Sequence, residues 1–421
     1  MMNLKVRLER LNKNKHEVTK NHDSETRYRL DMVLNPRTVF QKQFHTAALK
    51  QLIGGEQLIT EHGEVFIRDS VAHHLCPKGM DDEACMELQG LFNKNADNYC
   101  LDKTLFLDIE TTGLSGGAGN YAFLIGVGFF QHDRFLVRQF FLTEFKFEKA
   151  MLELLEGLLE LCPHIVTFNG KSFDVPILIN RAVLCRINTR LQDAAHTDLL
   201  HMARILWKSQ LNSLTFSSIE KEIIQYTRDQ DIYGSMIPET YFAFQRHGHT
   251  AELKQVFHHN LIDVVNLVRL YNEAANRFHY PYRYPSTMFA VARYLFDKDR
   301  AKAVPLLEST LFQQSSYDDI YQAKKLLAFH YKAKGQYNQA VSLWKDMISL
   351  MPNAEMTPFV ELAKYYEHVA KDFHKARHIM HLLDSFSFTC DDALNRRKQR
   401  IEEKYIKCQR LTLSSSRALS F

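Results

Sequence analysis

The sequence predicts an α/β sandwich built on a mixed sheet, followed by a final third that is nearly all helix. Three observations predict it. Strand-like runs come first and consecutively, at residues 104–109, 121–130 and 135–141. Helix and strand then alternate, with an amphipathic helix at 151–162, a strand at 165–168, an Asn-Gly turn and a helix from about Ser172, a pattern of sheet flanked by helices. After a Pro281 to Pro285 linker, apolar residues recur only at helical spacing.

Length and composition support this reading. The chain has 421 residues, 45% apolar and 24% charged, which at roughly 150 residues per domain leaves room for two or three domains and disfavours fibrous, disordered and multi-span membrane classes. The longest apolar run, 121–130, is too short to cross a bilayer. No apolar signal stretch precedes it, so a cytoplasmic protein is expected. Seven cysteines without regular spacing argue against a disulfide framework. A net charge of +4 permits nucleic-acid binding without requiring it.

Taken in order, residues 1–35 form a charge-mixed leader with few apolar anchors. Residues 36–100 hold an apolar-periodic stretch near 40–52 and alternating segments on either side of His62-Gly63, the pattern of a small hairpin. Residues 104–109 form a buried strand that meets a turn at Thr111-Thr112-Gly113. Asp198 is placed to cap a helix through Leu206, and a long helix from Leu253 to Tyr271 closes the domain near Ala275. In the last third, Ala303, Ala340 and Ala376 lie 37 and 36 residues apart, each expected early in the second helix of a pair. Ordinary helical hairpins would account for the same spacing. The tail starts as a charged helix and ends in a Ser-rich, frayed segment.

Asp108 and Glu110 are two apart on a strand, so their side chains share a face. Alone, such a pair is common and reads as a turn residue beside a solvated one. The surrounding residues change that. Phe106-Leu-Asp108-Ile-Glu110-Thr-Thr-Gly113-Leu resembles the first motif of the DnaQ-like, or DEDD, exonuclease superfamily with its ribonuclease H-like fold. Asn169-Gly170-Lys-Ser-Phe173-Asp174 resembles the second motif, and His259-Asn260-Leu-Ile-Asp263 the third. Further stretches, 113–121, His196-Thr-Asp198-Leu-Leu and Asp231 through Gly234 to Pro238 and Tyr241, are similar to YprB-type ribonuclease H-like proteins, whose members carry tetratricopeptide-like C-termini. Tyr331, Gly335, Tyr337, Ala340, Trp344 and Pro352 resemble such a repeat.

The resemblance implies a ribonuclease H-like exonuclease domain over 101–275 and tetratricopeptide-like repeats over 285–385, which leaves the charged helix and frayed tail to 386–421. It implies a 3′–5′ exonuclease acting on single-stranded RNA or DNA. Chemically, Asp108, Glu110, Asp174 and Asp263 suit two hard divalent cations, Mg²⁺ or Mn²⁺, which clamp the attacking and leaving oxygens at phosphorus. For the base, the superfamily has His five residues before the last Asp in one branch and Tyr four before it in another; this chain has His258 and His259 in the two slots. An i, i+4 pair shares a helix face, which favours His259. A nucleic-acid-binding adaptor working through the helical repeats is the alternative function, and a protein partner is expected there in either case.

Other features are weaker. Lys171 and the Thr111-Thr112 pair sit where nucleotide contacts are conceivable, and Arg181, Arg186 and Arg190 read as a solvated basic face. Gly117-Ala-Gly119 satisfies a dinucleotide fingerprint, but strand-like residues follow it instead of a helix. His73, His74, Cys76 and Cys85 match no zinc spacing.

Overall fold

The computed structural model describes residues 47–72, 80–93, 100–113, 119–131, 134–229, 231–313, 315–386, 388–389 and 392–418. The leader at 1–35, His73, His74, Cys76, Gly116 and Gly117 lie outside them. Contacts divide the chain into two compact units at His279/Tyr280.

The first unit is centred on a seven-stranded mixed sheet. Its strands are β1 (Glu56–Thr60), β2 (Gly63–Val71), β3 (Thr104–Thr111), β4 (Ala122–Gln131), β5 (Arg134–Phe141), β6 (His164–Thr167) and β7 (Ala195–Asp198), in spatial order β1-β2-β5-β4-β3-β6-β7. The first five are antiparallel neighbours, while β6 and β7 add in parallel beside β3. The hairpin expected at His62-Gly63 forms, and β2 continues to Val71 and pairs with β5. The hairpin therefore extends the main sheet.

The longer helices of this unit are α1 (Asp82–Phe92), α2 (Glu148–Leu161), α3 (Asp174–Leu184), α4 (Leu199–Leu206), α5 (Ile237–His247) and α6 (Leu253–His279). Strand alternation sorts the central residues of β3 onto two faces. Leu105, Leu107 and Ile109 join a core with Leu152, Leu155 and Leu159 of α2 and Ile177 and Leu178 of α3. Phe106 faces the other way, edge-on to Tyr271 of α6 at 5.7 Å. Asp108 and Glu110 share its side of the strand.

Helix α6 crosses β4 at two glycines on one face. A Cβ at Gly126 would lie 2.2 Å from Asn260 Oδ1, and one at Gly128 would lie 2.6 Å from Val264 Cγ1, so only glycine admits the helix this close. The helix also outruns its expected end at Tyr271. Ala274, Ala275 and Phe278 remain buried, because α1 supplies a second partner: Phe92 meets Phe278 edge-on at 5.5 Å, and His279 Nδ1 lies 2.5 Å from Glu87 Oε2.

The second unit comprises α7 (Pro285–Leu295), α8 (Arg300–Thr310), α9 (Tyr317–Ala333), α10 (Tyr337–Leu350), α11 (Thr357–His368), α12 (Phe373–Asp384) and α13 (Asp392–Ala418). Neighbours in sequence pack in pairs: α7 with α8, α9 with α10 and α11 with α12. Ala303, Ala340 and Ala376 each fall at the fourth residue of the second helix of a pair, fully buried. Glu367 is buried and accepts hydrogen bonds from Arg397, Arg400 and Lys404, at 2.7 to 3.1 Å, which hold α13 against α11. The Ser-rich end expected to fray is helical through Ala418. No described helix is long and apolar enough to cross a membrane.

Candidate active site

Three elements bring the motif acids together. Strand β3 carries Asp108 and Glu110 to its end, where the pairing with β4 shifts between Glu110 and Thr111. The two threonines beyond brace that end: Thr111 Oγ1 donates to the Gly113 carbonyl at 2.7 Å, and Thr112 Oγ1 accepts from the Tyr121 amide at 3.0 Å. Their hydroxyls are thus committed to the turn.

Asp174 is the first residue of α3, and the turn before it is held from a distance. Asn169 adopts a left-handed backbone with φ 62°. A Cβ on Gly170 would lie 2.4 Å from Thr167 Oγ1, so the chain needs glycine there. The Asp198 carboxylate accepts from the amides of Asn169 at 2.8 Å and Lys171 at 3.0 Å, and from Leu200 at 3.0 Å as the cap of α4. Asp198 is the expected cap and also fastens the second motif. Beneath it, Thr167 Oγ1 lies 2.8 Å from Nε2 of His196, whose ring burial lowers to a pKa of about 4.

Helix α6 supplies His259, Asn260 and Asp263. Asn260 is fully buried and donates to Asp108 Oδ2 at 2.8 Å, while its own Oδ1 accepts from Gln139 Nε2 at 2.9 Å. Gln139, Gly126 and Asp108 lie side by side across β5, β4 and β3. Asn260 fills the gap over the glycine and fixes the rotamer of the first acid.

The histidine is oriented from both sides. Its Nε2 lies 3.2 Å from Asp263 Oδ2 and 4.0 Å from Glu110 Oε1, and its Nδ1 lies 2.8 Å from Asp231 Oδ1. Asp231 and the Arg228 guanidinium, 3.1 Å away, both engage Nδ1, which leaves Nε2 as the nitrogen that points toward the acids. His258 is exposed and bonds none of the four acids.

Arg228 closes the network, and no local motif marks it. It pairs in bidentate fashion with buried Glu220, at 2.9 and 2.5 Å, donates to Asp231 at 3.0 Å and contacts Asp263. Glu220 opens a π-helical turn that ends at left-handed Gln225, and Asn266 of α6 donates to it at 2.7 Å. Arg181, by contrast, is no part of a solvated basic face. It is buried, forms two hydrogen bonds with buried Glu148 and lies 3.7 Å over the Tyr121 ring. Starting α2 at Glu148 instead of Met151 is what presents that carboxylate. Arg190 pairs with Glu156 and Glu160.

The acids crowd one another. Burial raises the Asp108 carboxyl well above its usual range, and Asp263, Glu110 and Asp174 push it the same way, against the hydrogen bond from Asn260. Burial, Asp263 and Asp174 raise Glu110, opposed by Arg228. Burial carries Asp174 to about 7. At Asp231, burial is outweighed by the hydrogen bond and charge of His259 and by Arg228, and the carboxyl stays below its ordinary value.

One guanidinium does not neutralise this many carboxylates. Added positive charge would relieve the repulsion, and the donors are hard oxygens with an imidazole at the rim, a set that fits a divalent cation. Ligand atoms of Glu110, His259 and Asp263 lie within 4.8 Å of one another. Among the described residues Cys85, Cys100, Cys162, Cys185 and Cys408 are free thiols, and none belongs to the site.

Residues 105–275 match the RNase H superfamily, so the sheet and its acids define a domain of that nucleic-acid-hydrolase class. Beyond it, the chain is 34% identical over 289 residues to the uncharacterized protein YprB of Bacillus subtilis (strain 168), spanning 67% of this chain and 69% of that one, and it belongs to the YprB family.

Proposed function

We propose that the protein is a metal-dependent nuclease of the DEDD type, a 3′–5′ exonuclease that hydrolyses phosphodiester bonds of single-stranded RNA or DNA. The observation that carries the reading is His259, held by Asp231 on one nitrogen and turned by the other into a cluster of four carboxylates. Its Nε2 lies 3.2 Å from Asp263 and 4.0 Å from Glu110, the place from which a ring nitrogen could reach a water held among these acids.

Asp108, Glu110, Asp174 and Asp263 would hold two Mg²⁺ or Mn²⁺ ions, which supply charge stabilisation at phosphorus and lower the pKa of water. His259 accepts the proton of the attacking water at Nε2, a role worth about 10²–10⁴-fold in such reactions. Asp231 stabilises the resulting imidazolium through Nδ1. Asn260 and Gln139 keep Asp108 from turning away, and Asp198 does the same for the Asp174 turn.

The helical unit supports a second part of the reading, tetratricopeptide-like repeats that bind a protein partner. Its support is the buried alanine at the fourth position of α8, α10 and α12, where a small side chain lets paired helices approach.

The test incubates the full chain with 3′- and 5′-labelled single-stranded RNA and DNA in Mg²⁺, Mn²⁺ or chelator, beside Asp108→Asn. Metal-dependent laddering from the 3′ end, lost in the variant, is expected. Retained binding with no cleavage under any metal would replace the nuclease by an adaptor that acts through its helical unit.

A further inference from the structure

A pocket of about 590 Å³ opens beside the acids on the His259 and Asp263 side, and the reaction described above uses none of its outer wall. That wall is built by the segment between α4 and α5: Phe216, Lys221, Tyr226 and Tyr233 line it, while Arg228 and Asp231 form its floor. The volume falls within the range that holds a small ligand such as one nucleotide.

Each wall residue has a distinct standing. Phe216 packs on Phe168 at 4.8 Å between ring centroids, which ties the pocket to the residue just before the Asn169-Gly170 turn. One face of Tyr226 is covered by Arg269 at 5.4 Å. Tyr233 is 78% exposed, although it lines a pocket and follows buried Ile232, which anchors the loop beneath it. Lys221 is exposed and forms no ion pair among the described residues.

We propose that this pocket receives the base of an unpaired nucleotide neighbouring the scissile phosphate, with Tyr233 as the stacking platform and Lys221 beside the backbone phosphate. The proposal rests on the nuclease reading for the position of that phosphate. Aromatic faces take any base, so stacking here is tolerant of sequence, and a lysine adds backbone attraction. A base can enter only when it has left its partner, so the pocket selects single strands over blunt duplex ends. Base edges need not be read.

The experiment measures anisotropy of fluorescein-labelled single-stranded eight-mers with the full chain in EDTA, so that cleavage plays no part. A blunt duplex serves as comparison. Tyr233→Ala is expected to weaken single-strand binding about 5- to 150-fold, the range of one lost stack, and Tyr233→Phe to leave it within about twofold, since the ring is what stacks. Abasic substitution, moved along the three positions nearest the 3′ end, should lose the same factor at one position, and there Tyr233→Ala should add nothing. Lys221→Ala should reduce the salt dependence of binding. Equal binding of the blunt duplex, or no position coupled to Tyr233, would overturn the pocket. Cleavage of the same strands in Mg²⁺, run in parallel, separates the two readings: laddering without coupling removes the pocket alone, and coupling without laddering removes the nuclease alone.

Discussion

Asp231 shows how much one side chain outside the motif acids can decide. It touches neither β3 nor α3, yet it sets which nitrogen of His259 faces the acids. Asp231→Asn keeps the size and a hydrogen bond but loses the charge that favours imidazolium. Hydrolysis is expected to fall about 10- to 100-fold in kcat with little change in KM, measured by steady-state cleavage of a labelled strand. His196 carries a different consequence. Its ring protonates near 6.5 when unfolded and near about 4 in the fold, so between those values the folded protein binds fewer protons than the unfolded chain. Stability from the neutral ring is therefore present above pH 6.5 and lost as pH falls toward 4, by about 2 kcal/mol between pH 8 and pH 5. Urea denaturation at the two pH values checks this, and His196→Gln should abolish that part of the difference.

At the scale of elements, the helix over the sheet is the delicate joint. Gly126→Ala places a methyl where the Asn260 amide sits, so α6 must lift or Asn260 must swing away from Asp108. Either costs about 1–3 kcal/mol and lowers hydrolysis further than the stability loss explains, a split read by comparing denaturation with kcat. This joint also marks the limit of what the sequence reveals. Asp108, Glu110, Asp174, His259 and Asp263 stand in short contiguous motifs whose spacing matches strand or helix periodicity, and the structure brings them together. Gln139, Gly126, Glu220 and Arg228 have no such local signature, because their meaning arises only when β5, β4 and a π-helical turn meet α6. Arg181 misleads for the same reason: in sequence it lies near other basic residues, and only the packing of α3 on α2 pairs it with Glu148.

For the whole molecule, the mixed sheet and the helical pairs follow from patterns the chain displays openly, the run of strands and the alanines spaced by 37 and 36 residues, whereas the strand order does not. The reach of α6 to His279 and of α13 to Ala418 does not, since each extension depends on a surface elsewhere that accepts it or on helix propensity in a polar tail. Glu367 is the main electrostatic tie within the helical unit. Glu367→Ala leaves Arg397, Arg400 and Lys404 facing one another, and hydrogen exchange of residues 392–410 should accelerate in step with a loss of about 2 kcal/mol. An unchanged exchange rate would show that the apolar contacts of Leu394 and Ile401 hold α13 unaided.

Strand β3 lies in the interior of the sheet, bonded to β4 on one side and β6 on the other. Both ladders hold the strand up to Phe106, and β4 alone pairs with its acid-bearing end at Asp108 and Glu110. Asp174, His259 and Asp263 stand on α3 and α6, and Arg228 and Asp231 reach the last two from the irregular chain that follows the π-turn at Glu220. The two acids of β3 are therefore the fixed reference against which the side chains of α3 and α6 are set.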